Sequence, residues 1–311
     1  MTKADDSSLN PEDLMFVEGR ARQLLDRASA WECFPTPVED LLAAAKLKVA
    51  PTSAFDPRAI LTFLRNKGAD VAKSLKSAMS KILGIYDGAD NVIHIDDNAY
   101  PSKKTFLKLH ETGHHELPTH RKAFLYFQDC ETTLSPEISD QFEREANNFA
   151  RFVLFQGDTF ARYAADCDFG IKTPVRLAKK FGASVYASCR EFARSNSRAC
   201  IVYALEQIEF VEGDGGRAEV RRIEASPKFK AMFGTPRDQF ITLDHVLGPV
   251  LPIGRKMTRP TTLAIRDRNG VIHECVAEAF DTTINVFILL YPVKELTATT
   301  IILPQPSRCG V

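Results

Sequence analysis

The sequence predicts an α+β fold in two unlike parts joined by a helical pair. Three observations carry that expectation. Helical stripes of apolar residues fill the first fifty positions, a short β-rich hairpin and two more helices follow between 82 and 155, and from about 199 the texture turns to strands. The chain has 311 residues, 44% hydrophobic and 26% charged, which suits a real core and two or more domains.

Residues 11–33, PEDLMFVEGRARQLLDRASAWEC, read as an amphipathic helix. Leu14, Val17, Ala21 and Leu25 share one stripe, and Pro11 suits a first turn. Residues 36–49 repeat the logic, with Thr36 as cap, Pro37 next, and Val38, Leu41, Leu42 and Ala45 inward. A further helix is expected over 57–81. In ILGIYDGADNVIHIDD (82–97), two β-rich runs flank Asp87-Gly88-Ala89-Asp90 and read as a hairpin. Its second strand, within 91–96, is expected to offer a free edge to an extended substrate.

In PSKKTFLKLHETGHHEL, Ser102 is the expected N-cap and Pro118 the stop, with a loop after it. Residues 135–155, SPEISDQFEREANNFARFVLF, form a second strong helix, with Ser135 as cap and Pro136 in its first turn. Residues 173–196 read as helix, short turn at Gly182-Ala183-Ser184, and helix. The runs ACIVYALEQIEFV, RAEVRRIEA, TTLAIRDRNGVIHECVAEAF and INVFILLYPV then read as strands, with Asn269-Gly270 as a hairpin signal. The expected domains are 1–165, a helical segment at 166–198, and an α+β domain at 199–311.

Charge and cysteine usage exclude several classes. Forty basic and forty acidic residues leave a net charge of zero, so no global electrostatic footprint for nucleic acid exists. Seven widely spaced cysteines without a CxxC point to a reduced, cytoplasmic protein rather than a disulfide or cysteine–zinc module. The start MTKADDSSLNPEDL is polar and acidic, unlike a signal peptide, and the apolar run NVFILLYPV is too short to span a bilayer.

The stretch HETGH carries the chemistry. His110 and His114 lie four residues apart on a helix, on one face and about one turn apart, so both imidazoles can reach one ion. Glu111 is placed as the general base for a metal-activated water attacking a carbonyl. A catalytic ion needs a third ligand, and FEREANNFARF offers one. Phe142, Ala146, Phe149 and Val153 form its apolar stripe, while Glu143 and Asn147 share an adjacent one. Glu143 is the candidate ligand, with Glu145 competing, and Asn147 would hold a ligating histidine from behind. Zn2+ is the expected ion, and two histidines and one glutamate also suit Mn2+ or Fe2+. His115, His120, Tyr126 and Tyr100 are candidates for contacting the substrate or a developing oxyanion.

The order of hairpin, HETGH and then EREANNFA resembles the IrrE/ImmA metallopeptidases, a compact zincin family, over about residues 84–155. The resemblance implies ligands His110, His114 and Glu143, with Glu111 as base and Asn147 behind them, and so favours Glu143 over Glu145. IrrE-type, PprI-like proteins follow the peptidase with a helix-turn-helix-like segment and a GAF-like C-terminal domain. LAKKFGASVYASCREFARSN is similar to the first, and the pattern after 199 is compatible with the second. Many members end the second helix with an apolar pair and a proline; this chain reads FVLFQGD instead.

The resemblance implies a zinc endopeptidase whose substrate is a helix-turn-helix transcriptional repressor, cleaved to derepress a stress or mobile-element response. Two other readings stand beside it. One is a DNA- or protein-binding regulator with a structural ion, using Arg176, Lys179, Lys180, Arg190 and Arg194; DNA contact is the less favoured reading of that helical pair. The other is a toxin-like module gated by a small-molecule effector at the C-terminal domain. No membrane partner is expected.

Overall fold

The computed structural model describes residues 6–50, 84–87, 91–95, 99–128, 136–211 and 215–294, and divides the chain into two compact units, 1–192 and 193–311. The helix expected over 57–81, the Ser135 cap and the turn residues 88–90 fall outside the described residues. Both units mix helices with sheet, as the α+β expectation requires.

In the first unit, α1 (Pro11–Arg27) is capped by Asn10, whose side chain accepts from the Asp13 amide. It stops earlier than the apolar pattern suggested. Ser29 turns to φ 50°, and the Ala30 amide donates back to the Leu25 carbonyl, closing a left-handed C-terminal cap. The next helix, α2 (Val38–Ala44), is followed by a short strand, β1 (Lys48–Val49), rather than more helix. Thr36 does not cap α2; its buried hydroxyl donates to the Leu154 carbonyl at 2.7 Å instead.

The hairpin strands are β2 (Gly84–Asp87) and β3 (Val92–Ile95), paired antiparallel. Because β1 pairs parallel with the other side of β3, the sheet order is β1–β3–β2. That overturns β3 as a substrate-pairing edge, since both of its edges are already bonded. The strand instead supports α3 (Pro101–Glu116), which packs on β2 and β3. Tyr100, not Ser102, occupies the N-cap of α3, because Pro101 takes the first helical position.

Pro118 likewise begins an element rather than a loop. It opens α4 (Pro118–Gln128), one residue after α3 ends at its Leu117 cap. Next comes α5 (Pro136–Leu154), packed against both α3 and α1. Its fully buried stripe is Ala146, Phe149, Ala150 and Val153. The unit closes with α6 (Thr159–Ala165), α7 (Lys172–Phe181) and most of α8 (Val185–Ser195). Phe34, Phe155, Phe160 and Phe181 form an aromatic cluster there, with ring centroids 4.8–5.9 Å apart. Gly182 sits at φ 70° and makes the α7–α8 turn.

The second unit is an antiparallel sheet curved into a half-barrel. Its strands are β4 (Ile201–Leu205), β5 (Glu209–Val211), β6 (Gly215–Ala225), β7 (Phe240–Thr242), β8 (Thr261–Arg266), β9 (Ile272–Asp281) and β10 (Val286–Pro292). The order is β5–β6–β4–β10–β9–β8, with β7 also on β6. Ile201, Tyr203, Leu205, Ala277, Ala279 and Ile288 line its core with Phe229 of α9 (Pro227–Phe233). The Asn269-Gly270 turn joins β8 to β9, with Gly270 at φ 85°.

Candidate metal centre

The second half of α3 is buried throughout, from Leu109 to Glu116. A helix can sink that deep only if its neighbours come close. Gly113 allows it: a Cβ there would lie 3.2 Å from Phe149 and 3.3 Å from the Ala146 backbone of α5. Glu116 anchors the same end, accepting from Arg27 and, through its carbonyl, from Arg20.

This close crossing sets His110 and His114 opposite Glu143. The His110 Nε2 lies 3.2 Å from Glu143 Oε2, the His114 Nε2 lies 3.6 Å from Glu143 Oε1, and the two Nε2 atoms are 3.2 Å apart. One ligand atom from each of the three residues falls within 4.8 Å of the others. Two nearly buried imidazoles face a carboxylate that is 53% exposed, so one side of the centre is open to solvent. That donor set fits a divalent ion with an accessible coordination position.

Groups behind the centre orient it. Asn147 Oδ1 accepts from His110 Nδ1 at 3.1 Å, while its amide donates to the Asp6 carbonyl at 2.8 Å. Neighbouring Asn148 holds the Ser7 carbonyl at 2.9 Å, so residues 6–7 lie along α5. His114 Nδ1 meets His120 Nδ1 at 3.0 Å, and His120 Nε2 meets Glu145 Oε2 at 2.8 Å. Glu143 and Glu145, two positions apart, point about 200° apart around the helix, and so serve different partners.

Charge follows this geometry. Burial pushes Glu143 upward, but the hydrogen bond from His110 and the charges of His110, His114 and His120 win, holding it at about 2. His110 is pulled down by burial, yet Glu143, Glu111 and Asn147 leave it raised overall. His114 falls well below its ordinary value through burial and the neighbouring His110.

Residues 65–192 match the family model described as Peptidase_M78, the IrrE N-terminal-like domain. This segment is an IrrE N-terminal-like domain. Both helices of the centre, α3 and α5, lie inside the IrrE-like domain, and the half-barrel unit lies outside it. In fold, the chain is similar to a Mycobacterium tuberculosis transcriptional regulator, at 13% identity and a TM-score of 0.52, over 93% of this chain and 94% of that one. Among curated proteins, none matches in sequence.

The remaining candidates scatter around the IrrE-like domain. Glu111 is buried beside His110. His115 turns away from the centre and bonds the Ala45 backbone. Tyr100 is 71% exposed at the far end of α3, roughly 15 Å along the helix from His110. The Tyr126 side chain falls outside the described residues. His120 is fully buried, with both ring nitrogens engaged.

Sequence reasoning missed the pairing of His120 with Glu145 and the contact of Asn147 with Asp6. A proline at a first helical position was the available signal for the former, since it places His120 in the first turn of α4. Of the basic residues in the helical pair, Arg194 pairs with Glu224 at 2.6 Å and Lys180 stands 4.0 Å over the Phe34 ring. Arg176 and Lys179 are exposed. Among the described residues, no helix is long and apolar enough to cross a membrane.

Proposed function

We propose that the chain is a metal-dependent endopeptidase, with zinc as the first candidate ion and Mn2+ or Fe2+ as alternatives. The convergence of His110, His114 and Glu143 on one open-sided point carries this reading. When bound, a divalent ion supplies an acidified water and polarises a carbonyl. Glu111, next to His110 and buried in the same wall, is the group placed to take the proton and pass it to the leaving amine. Asn147 keeps the His110 ring turned so that Nε2 faces the centre. The substrate proposed is a helix-turn-helix repressor, and the half-barrel unit, GAF-like in this reading, would regulate the cleavage.

The deciding experiment uses the Glu111→Gln protein. It should bind zinc as the unsubstituted chain does and lose proteolysis by at least about 100-fold. Undiminished cleavage would sink the mechanism.

A second reading, a regulator with a structural ion, draws on the fold likeness to a transcriptional regulator and on exposed Arg176 and Lys179. Its mark would be a salt-dependent shift of a DNA probe, lost when Lys179 is replaced. The engagement of Arg194 and Lys180 within the protein weighs against it.

A further inference from the structure

We propose that His120 and Glu145 are positioning residues, a brace that fixes His114 in the one tautomer able to bind an ion. The proposal rests on the metal-centre reading and extends it to two residues outside the ligand set. Three consecutive contacts make the brace. Gln141 Nε2 donates to Glu145 Oε1 at 2.9 Å, Glu145 Oε2 meets His120 Nε2 at 2.8 Å, and His120 Nδ1 meets His114 Nδ1 at 3.0 Å.

The direction of the chain follows from donor chemistry. A carboxylate only accepts, so the hydrogen between Glu145 and His120 sits on His120 Nε2. In the neutral ring His120 Nδ1 is then the acceptor, and the hydrogen between the two histidines belongs to His114 Nδ1. That leaves the lone pair of His114 on Nε2, the nitrogen 3.2 Å from His110 Nε2 and 3.6 Å from Glu143. Reversing either of the two histidine bonds would put the hydrogen on His114 Nε2 and block the ligand.

The brace is also held mechanically. His120 stacks on Phe142 at 3.9 Å with 20° between planes, and it is fully buried. The two ligating histidines thus have separate supports of different kind, an amide for His110 and an imidazole–carboxylate pair for His114. Glu145 lies only two positions from Glu143, yet it acts through His120 and not on the ion.

The test uses the full chain with Glu145→Gln and His120→Phe, both of which preserve shape. Gln can donate as well as accept, so it no longer sets the direction; Phe keeps the stack on Phe142 and removes the bonds. Zinc affinity, measured by competition with a chromophoric chelator, should fall about 10–100-fold in each. The double variant should bind no more weakly than His120→Phe alone, because both changes cut one chain. Nitrogen-15 NMR of the chelator-treated protein should show His114 as the Nδ1–H form, shifting toward Nε2–H in Glu145→Gln.

Wild-type affinity in both variants, or an unchanged His114 tautomer, would overturn the brace while leaving the metal centre standing. Loss of zinc with Glu145→Ala but not with Glu143→Ala would overturn it by making Glu145 the ligand. A wild-type chain that binds no zinc would overturn the metal centre and the brace with it.

Discussion

Gly113 is the residue on which the centre turns. It sits between the two histidines, where α3 and α5 touch, and any side chain there meets Phe149 and the Ala146 backbone. Neither can yield easily, because Ala146 and Phe149 are fully buried. Gly113→Val should therefore push the helices apart, costing about 1–3 kcal/mol of stability. It should also weaken zinc binding, because Glu143 would retreat from both imidazoles. Thermal melts and chelator competition measure the two effects, and a variant with full affinity would show that the close crossing is not needed.

Elements were set largely by their ends. Proline at a first helical position begins α1, α3 and α4 alike. The reading of Pro118 as a stop missed the third case, because a proline that ends one helix and a proline that starts the next look the same in sequence. The turn between α7 and α8 is the other kind of end. Gly182 lies at φ 70°, and a Cβ there would come 3.0 Å from Pro35. Gly182→Ala should destabilise the fold by about 1–2 kcal/mol, read as a lower denaturant midpoint; an unchanged midpoint would mean the turn relaxes to negative φ.

At the scale of the molecule, the ion-free protein should respond to pH through its buried imidazoles. His114, His115 and His120 are all lowered from 6.5, chiefly by burial, so below that value the unfolded chain binds more protons and stability falls. Glu143, held at about 2, adds stability above its ordinary 4.5 that is lost as pH falls toward 2. His110 is raised and works the other way, giving stability below 6.5 that is lost as pH climbs through its folded value. The three lowered rings and Glu143 all act against the folded state as pH falls, with His110 opposing them, and melting temperature in chelator should drop between about pH 7 and about pH 4. A rise over that interval would contradict the burial of these rings.

The sequence by itself determined the helices of the centre, the hairpin strands, the β texture after 199 and which side chains within HETGH and within EREAN share a helix face. These are local matters. Spacing of four on a helix fixes which side chains share a face, and neither His110 with His114 nor Glu143 with Asn147 needs a partner element to be seen. Only the tertiary structure decided that β3 lies inside its sheet, that Thr36 serves Leu154 rather than α2, and that His120 reaches His114 while Glu145 reaches His120. Thr36 with Leu154, β1 with β3 and His120 with Glu145 each need segments well apart in the chain to meet at hydrogen-bond distance, while His120 with His114, six residues apart, needs the break between α3 and α4. Such a meeting is governed by how closely helices pack, which here is a property of Gly113 and the face of α5 together.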